Sequence, residues 1–109
     1  MEQITSESFT LRTEKGGWLA QVVLTSDGMF ASVSDYGNFS YAWRSFGDNF
    51  KEFIKNLDVS YFGGKMYNGI SYIAYGRKYE AAAYRFAEEI LPALKKAISE
   101  QGNRQKDNE

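Results

Sequence analysis

Apolar and polar side chains alternate along most of the first 43 residues, and this alternation constrains the fold more than any other feature. In residues 29–34, Met29, Ala31 and Val33 fall on one face of an extended strand, and Phe30 falls on the other. Segments 3–12 and 38–43 have the same character, whereas 18–24 is mostly apolar and is predicted to be a central strand. Glycine-containing turns separate all four segments, so the sequence predicts an antiparallel meander.

The pattern changes to helical spacing after Phe46. Phe50, Phe53, Ile54 and Leu57 share one face of a short helix, for which Asp48 is the expected N-cap. The segment 58–60 should end that helix. One further turn is expected over 61–66, weakened by adjacent glycines. Asn68-Gly69 is a turn signal, and Ile70 to Tyr75 are expected to form a short strand or an irregular loop.

A long helix is predicted from Arg77, with a continuous apolar stripe and a kink at Pro92. We therefore expect a single α+β domain over 1–101: a four-stranded antiparallel meander, then a short helix and a long C-terminal helix packed on one face. Residues 102–109 contain no apolar side chain and are predicted to be a disordered polar tail.

Composition argues against several classes of function. The chain has no Cys and no His, which removes thiolate chemistry, the commonest metal ligand and the commonest general base. We expect no enzyme activity, no cofactor and no metal. Net charge is −1, from 13 basic and 14 acidic residues, which disfavours a nucleic acid as partner. No apolar run follows Met1 or reaches the length of a membrane span, so we expect a cytoplasmic protein without membrane contact.

Aromatic residues make up 17% of the chain, and they allow two interpretations of the segment 38–43. In the favoured one, Phe39, Tyr41 and Trp43 form the inner face of the sheet beneath the helices. In the other, they lie on an open face and stack on unpaired bases, as in sheet-based modules that bind single-stranded nucleic acid.

Tyrosine, tryptophan and arginine are the residue types most enriched at protein–protein hot spots. The candidate partner-binding residues are Tyr36, Tyr41, Trp43, Arg44, Tyr67, Tyr72 and Tyr75.

The run SDYGNFSYAW at 34–43, followed by Gly47, by FKEFI at 50–54 and by Asp58, Tyr61 and Lys65, resembles a family of small proteins encoded by bacteriophages and prophages. The resemblance covers roughly Trp18 to Met66. It implies viral origin and action in the cytoplasm of a bacterial host. It also implies that the protein binds and inhibits a host protein, with anti-CRISPR or other anti-defence proteins as examples.

The leading hypothesis is therefore a non-catalytic phage accessory protein with a bacterial host protein as partner. The alternative is a module that binds single-stranded nucleic acid through an aromatic sheet face. A homodimer also stays open.

Overall fold

The computed structural model describes residues 3–107, with side chains up to Asn103, and contains one antiparallel sheet covered on one face by helices. Its strands, in spatial as well as chain order, are β1 (Ser6–Arg12), β2 (Trp18–Thr25), β3 (Met29–Ser34) and β4 (Phe39–Ala42). The predicted α+β class and four-stranded meander are confirmed.

All three hairpins turn by the same device. In each, the amide of a glycine donates to the carbonyl three residues earlier: Gly16 to Thr13, Gly28 to Thr25 and Gly37 to Ser34. These glycines have φ values of +89°, +99° and +125°, a region that favours glycine. A turn that ends in a left-handed glycine matches the twist of the flanking strands, so these positions fix the strand register.

Three helices follow the sheet: α1 (Phe50–Lys55), α2 (Val59–Ile70) and α3 (Arg77–Asp107). Asn49, rather than the predicted Asp48, is the N-cap of α1, since its side chain accepts from the amide of Glu52. Asp58 caps α2 in the same way through the amide of Tyr61. The segment 58–60 therefore starts a second helix as well as ending the first.

Helix α2 is longer than the sequence predicted. It continues through the turn predicted at Asn68-Gly69 as far as Ile70, and it contains Gly63, Gly64 and Gly69. A β-carbon at Gly63 would lie 2.5 Å from the ring of Tyr84 on α3. One at Gly69 would overlap the backbone carbonyl of Ser40 on β4. Two of the glycines that lower helix propensity, Gly63 and Gly69, thus allow α2 to pack closely between β4 and α3.

Helix α3 begins at Arg77 as predicted and continues to Asp107. The described part of the predicted polar tail, 102–107, is therefore helical, while Asn108 and Glu109 lie outside the described residues. Each added helical residue gains one backbone hydrogen bond once a helix is nucleated, and a single glycine at 102 costs only about 1 kcal/mol.

The core lies between the sheet and the helices and is rich in phenylalanine. Phe30, Phe62 and Phe86 are fully buried, and Phe30 meets Phe62 edge to face with ring centroids 5.2 Å apart. Phe39 lies 4.5 Å from Phe86 between ring centroids. The interpretation that places these rings on the inner face is confirmed for Phe39 and Trp43, which are only 4% and 5% exposed, whereas Tyr41 is half-buried.

A polar network ties the strand and helices at the other end of the domain. Glu7 on β1 forms a 2.9 Å ion pair with Lys51 on α1 and accepts a 2.7 Å hydrogen bond from Gln101 on α3. The hydrogen bonds from Lys51 and then Gln101, together with the charge of Lys51, hold the pKa of the Glu7 carboxyl below its ordinary value. The network therefore joins parts of the chain that are far apart in sequence.

Candidate protein-binding surface

The first part of the candidate site is a junction between β4 and α2, which we call the junction cluster (Tyr41, Trp43, Tyr61 and Lys65). The indole N–H of Trp43 donates to the hydroxyl of Tyr61 over 3.2 Å. The rings of Tyr41 and Trp43 meet at 4.7 Å between centroids. Lys65 places its ammonium 5.4 Å from the ring centroids of both Tyr41 and Tyr61. The buried indole thus supports two tyrosines and a cation that reach the surface.

The second part is the connection between α2 and α3, residues 71–76, which we call the tyrosine loop. Its backbone is held at both ends. The amides of Ile73 and Ala74 donate to the carbonyl of Ile70 over 3.0 and 2.9 Å. At the other end, the amide of Gly76 donates to the hydroxyl of Tyr67 over 3.0 Å. The loop is therefore anchored through its main chain, which leaves its large side chains free.

Those side chains project into solvent. Tyr72 is 98% exposed, Ile73 is 93% exposed and Tyr75 is 80% exposed. Tyr75 rests beside Tyr67, with ring centroids 6.3 Å apart. Three large apolar side chains displayed on one anchored loop are typical of a surface that binds another molecule, because exposed apolar groups in such density do not stabilise the monomer.

Charge distinguishes this part of the chain from the rest. Residues 59–79 contain Lys65, Arg77 and Lys78 but no Asp or Glu, although the whole chain has a net charge of −1. The tyrosine loop is followed directly by two of these cations. The segment 59–79, which Asp58 and Glu80 flank, therefore combines exposed tyrosines with three cations and no acidic residue.

The other sequence-predicted residues are distributed differently. Tyr36 lies in the β3–β4 turn, half-buried, with the guanidinium of Arg85 5.7 Å from its ring centroid. Arg44 is exposed beyond β4. Trp43 is buried, so it would act on a partner through Tyr41 and Tyr61, which it contacts. The predicted set is thus brought together in part, with Tyr67, Tyr72 and Tyr75 at the loop and Tyr41 and Trp43 at the junction cluster.

Three residues of this surface were missing from the predicted set: Tyr61, Lys65 and Ile73. Tyr61 and Lys65 are four residues apart, a spacing that places both on one face of a helix. The helical turn expected over 61–66 contains both residues, but the glycines at 63–64 weaken the prediction of that turn. Nothing in the sequence separates an exposed Ile73 from a buried isoleucine.

Among the side chains that the structure describes, residues 3–103, no group of three or more acidic residues converges as a metal site. None of the helices described there combines the length and the apolar character needed to cross a bilayer.

Comparison with known proteins gives one match. A family model described as a phage family, Phage_phiTE_072, matches residues 1–78, which include the sheet, α1, α2 and the tyrosine loop. No curated protein and no solved structure matches the chain. Because the match covers well over half of the chain, the protein belongs to this phage family.

Proposed function

We propose that this phage protein acts without catalysis, by binding a bacterial host protein through the tyrosine loop and the adjoining α2 surface, and that binding inhibits the host protein. The observation that carries the proposal is the near-complete exposure of Tyr72 and Ile73 on a loop whose backbone is hydrogen-bonded at both ends. Such anchors lose little conformational entropy on binding, since the backbone that presents them is already ordered.

The chemistry of the surface supports a protein rather than a nucleic acid as partner. Tyrosine rings can stack on bases, and Arg77 and Lys78 can contact phosphates. Ile73, by contrast, gains most from an apolar pocket, which another protein provides and a nucleic-acid strand does not. The three cations of 59–79 further favour a partner with an acidic rim around that pocket.

The first experiment is affinity capture from host lysate with tagged wild-type protein and with a Tyr72→Ala/Tyr75→Ala variant. A Val33→Thr variant is the matched control, because Val33 is also exposed but lies on the open face of the sheet. We expect one host protein to be captured by wild type and by the control, and to be lost from the loop variant. Equal capture by all three proteins would show that the loop does not bind.

The second experiment tests inhibition. Defence systems, CRISPR effectors among them, are the host targets to test first, given the phage origin. Expression of wild-type protein in a host that restricts a phage should restore plating of that phage, whereas the loop variant should not. Restoration of plating by both proteins would show that any anti-defence effect does not depend on the tyrosine loop.

Single-stranded nucleic acid is the second candidate, supported by the run of basic residues beside exposed tyrosines. Binding through an aromatic sheet face requires the rings of 39–43 on an open face, but Phe39 and Trp43 lie beneath the helices. Titration of labelled oligonucleotides at low salt tests what is left of it. Binding that weakens steeply with salt and is lost in a Lys65→Gln/Arg77→Gln variant would favour this candidate over a host protein.

A further inference from the structure

The two edge strands of the sheet, β4 and β1, have different surroundings. At β4, the amide of Trp43 donates to the carbonyl of Gly28 next to β3, which fixes the alternation of the strand. The peptide groups of Ser40 and Ala42 therefore point away from β3. Helix α2 covers this edge, since Gly69 lies against the carbonyl oxygen of Ser40. At Ser40 the helix thus leaves no room for another strand to pair with β4.

The opposite edge, formed by β1, is open. The amide of Ser26 donates to the carbonyl of Thr5, so odd-numbered residues of β1 turn their peptide groups toward β2. The peptide groups of Ser6, Ser8 and Thr10 point outward. In the described part of the chain, none of these three peptide groups has a hydrogen-bond partner in another element. All three residues are solvent-exposed.

The features that usually block an open edge are weak in β1. The strand contains no proline and no lysine. Its bulge lies at Leu11/Arg12, the end of the strand, which leaves Ser6–Leu11 regular. Glu7 is the one charged residue in that stretch, and its carboxylate is already held by Lys51 and Gln101. A strand that pairs here meets no unpaired charge within the regular stretch.

The pattern of β1 is compatible with a second copy of itself. In an antiparallel pair centred on Phe9, Ser8 of one copy lies opposite Thr10 of the other, and both present outward peptide groups. The open-face side chains that meet are then small hydroxyls. On the other face Phe9 lies opposite Phe9 of the second copy, in a non-hydrogen-bonded pair where side chains approach most closely. Phe9 is only half-buried in the single chain, so it has apolar surface left to bury.

We propose that β1 is a homodimerisation strand, through which two copies of the chain join their sheets into one continuous antiparallel sheet. The near-neutral chain, with a net charge of −1, opposes this association little. The surface is separate from the tyrosine loop, so each proposal can fail without the other.

The test is the molecular mass in solution over a wide range of protein concentration, measured by sedimentation equilibrium. The apparent mass of the wild type should rise from that of the 12.4 kDa chain toward twice that value. A Ser8→Pro variant should stay monomeric, because proline removes an outward donor that the single chain does not use. A Val33→Lys variant on the open sheet face should dimerise as the wild type does, which rules out association through that face.

Amide hydrogen exchange gives a second readout that does not depend on any substitution. Protection at Ser6, Ser8 and Thr10 should rise with protein concentration, whereas protection of the β3 amides should not change. A wild type that stays monomeric at every concentration overturns the proposal, and so does a dimer that survives Ser8→Pro. If the chain stays monomeric and its β1 amides gain protection only when a host protein is bound, then β1 pairs with that protein and not with a second copy.

Discussion

Replacement of Gly69 by alanine tests whether α2 packs directly against β4 at the carbonyl oxygen of Ser40. In an unconstrained helix, glycine to alanine stabilises by about 0.5–1 kcal/mol, because alanine loses less backbone entropy on folding. At position 69 the new β-carbon would fall well inside the 3.0 Å that real β-carbons keep from other atoms, and the atom it meets is the backbone oxygen of Ser40. A backbone atom cannot rotate away as a flexible side chain can.

The sign of the effect should therefore reverse. Relief of such an overlap requires a shift of the last turn of α2, and overpacking of this kind costs about 1–3 kcal/mol. After subtraction of the stabilisation that alanine gives a helix relative to glycine, Gly69→Ala should lower the free energy of unfolding by up to about 2 kcal/mol. For a domain of this size, each 1 kcal/mol corresponds to roughly 4–8 °C in Tm.

Gly64→Ala is the matched control, since it makes the same change in the same helix. Its β-carbon would meet only the hydroxyl of Tyr84, at an ordinary contact distance of 3.4 Å. This variant should be more stable than the wild type by about 0.5–1 kcal/mol. Urea unfolding followed by circular dichroism measures both. Equal stabilisation by the two substitutions would refute the close approach of α2 to β4.

Three further predictions concern the core, the polar network and the loop. Phe30→Ala should lower the free energy of unfolding by about 3–5 kcal/mol in urea titrations, because the fully buried ring leaves a cavity. Because the folded-state pKa of Glu7 is depressed, its contribution to stability is present above about pH 4.5 and is lost as pH falls through the lower folded value. Tm measured against pH should therefore fall less steeply on acidification for Glu7→Gln than for the wild type, and the exposed-site control Glu14→Gln should retain the wild-type slope. Tyr67→Phe removes the acceptor for the amide of Gly76, so that amide should exchange faster in NMR while the Tm changes by only a few degrees.

The sheet was predictable because its signals are local. Turn glycines and period-two alternation act within a few residues, and the strands at Met29–Ser34 and Trp18–Thr25 follow them closely. The inner face of β4 was predictable for a related reason: two amphipathic helical segments need an apolar partner surface. These inferences depend on pattern, which a single sequence contains.

Helix α2 was not predictable from propensity, since its glycines at 63, 64 and 69 each oppose helix formation. What stabilises it lies elsewhere in the chain, in the close packing against Tyr84 and Ser40. The outward direction of Ile73 depends on the same tertiary arrangement. Tyrosines in a loop could be proposed as binding residues from sequence, but their exposure could not.

The phage-family match and the buried core cover different parts of the chain. The match ends at residue 78, two residues into α3, yet among the described residues α3 supplies seven of the twenty buried apolar side chains, Phe86 and Leu94 among them. The packing role of α3 requires only an apolar stripe at helical spacing, which many sequences satisfy. The turns and the α2 packing require glycine at particular positions, and the candidate surface requires large exposed side chains. Substitutions that probe the proposed binding therefore belong on the tyrosine loop and α2, whereas conservative substitutions along the buried stripe of α3 should change stability with little effect on capture of the proposed partner.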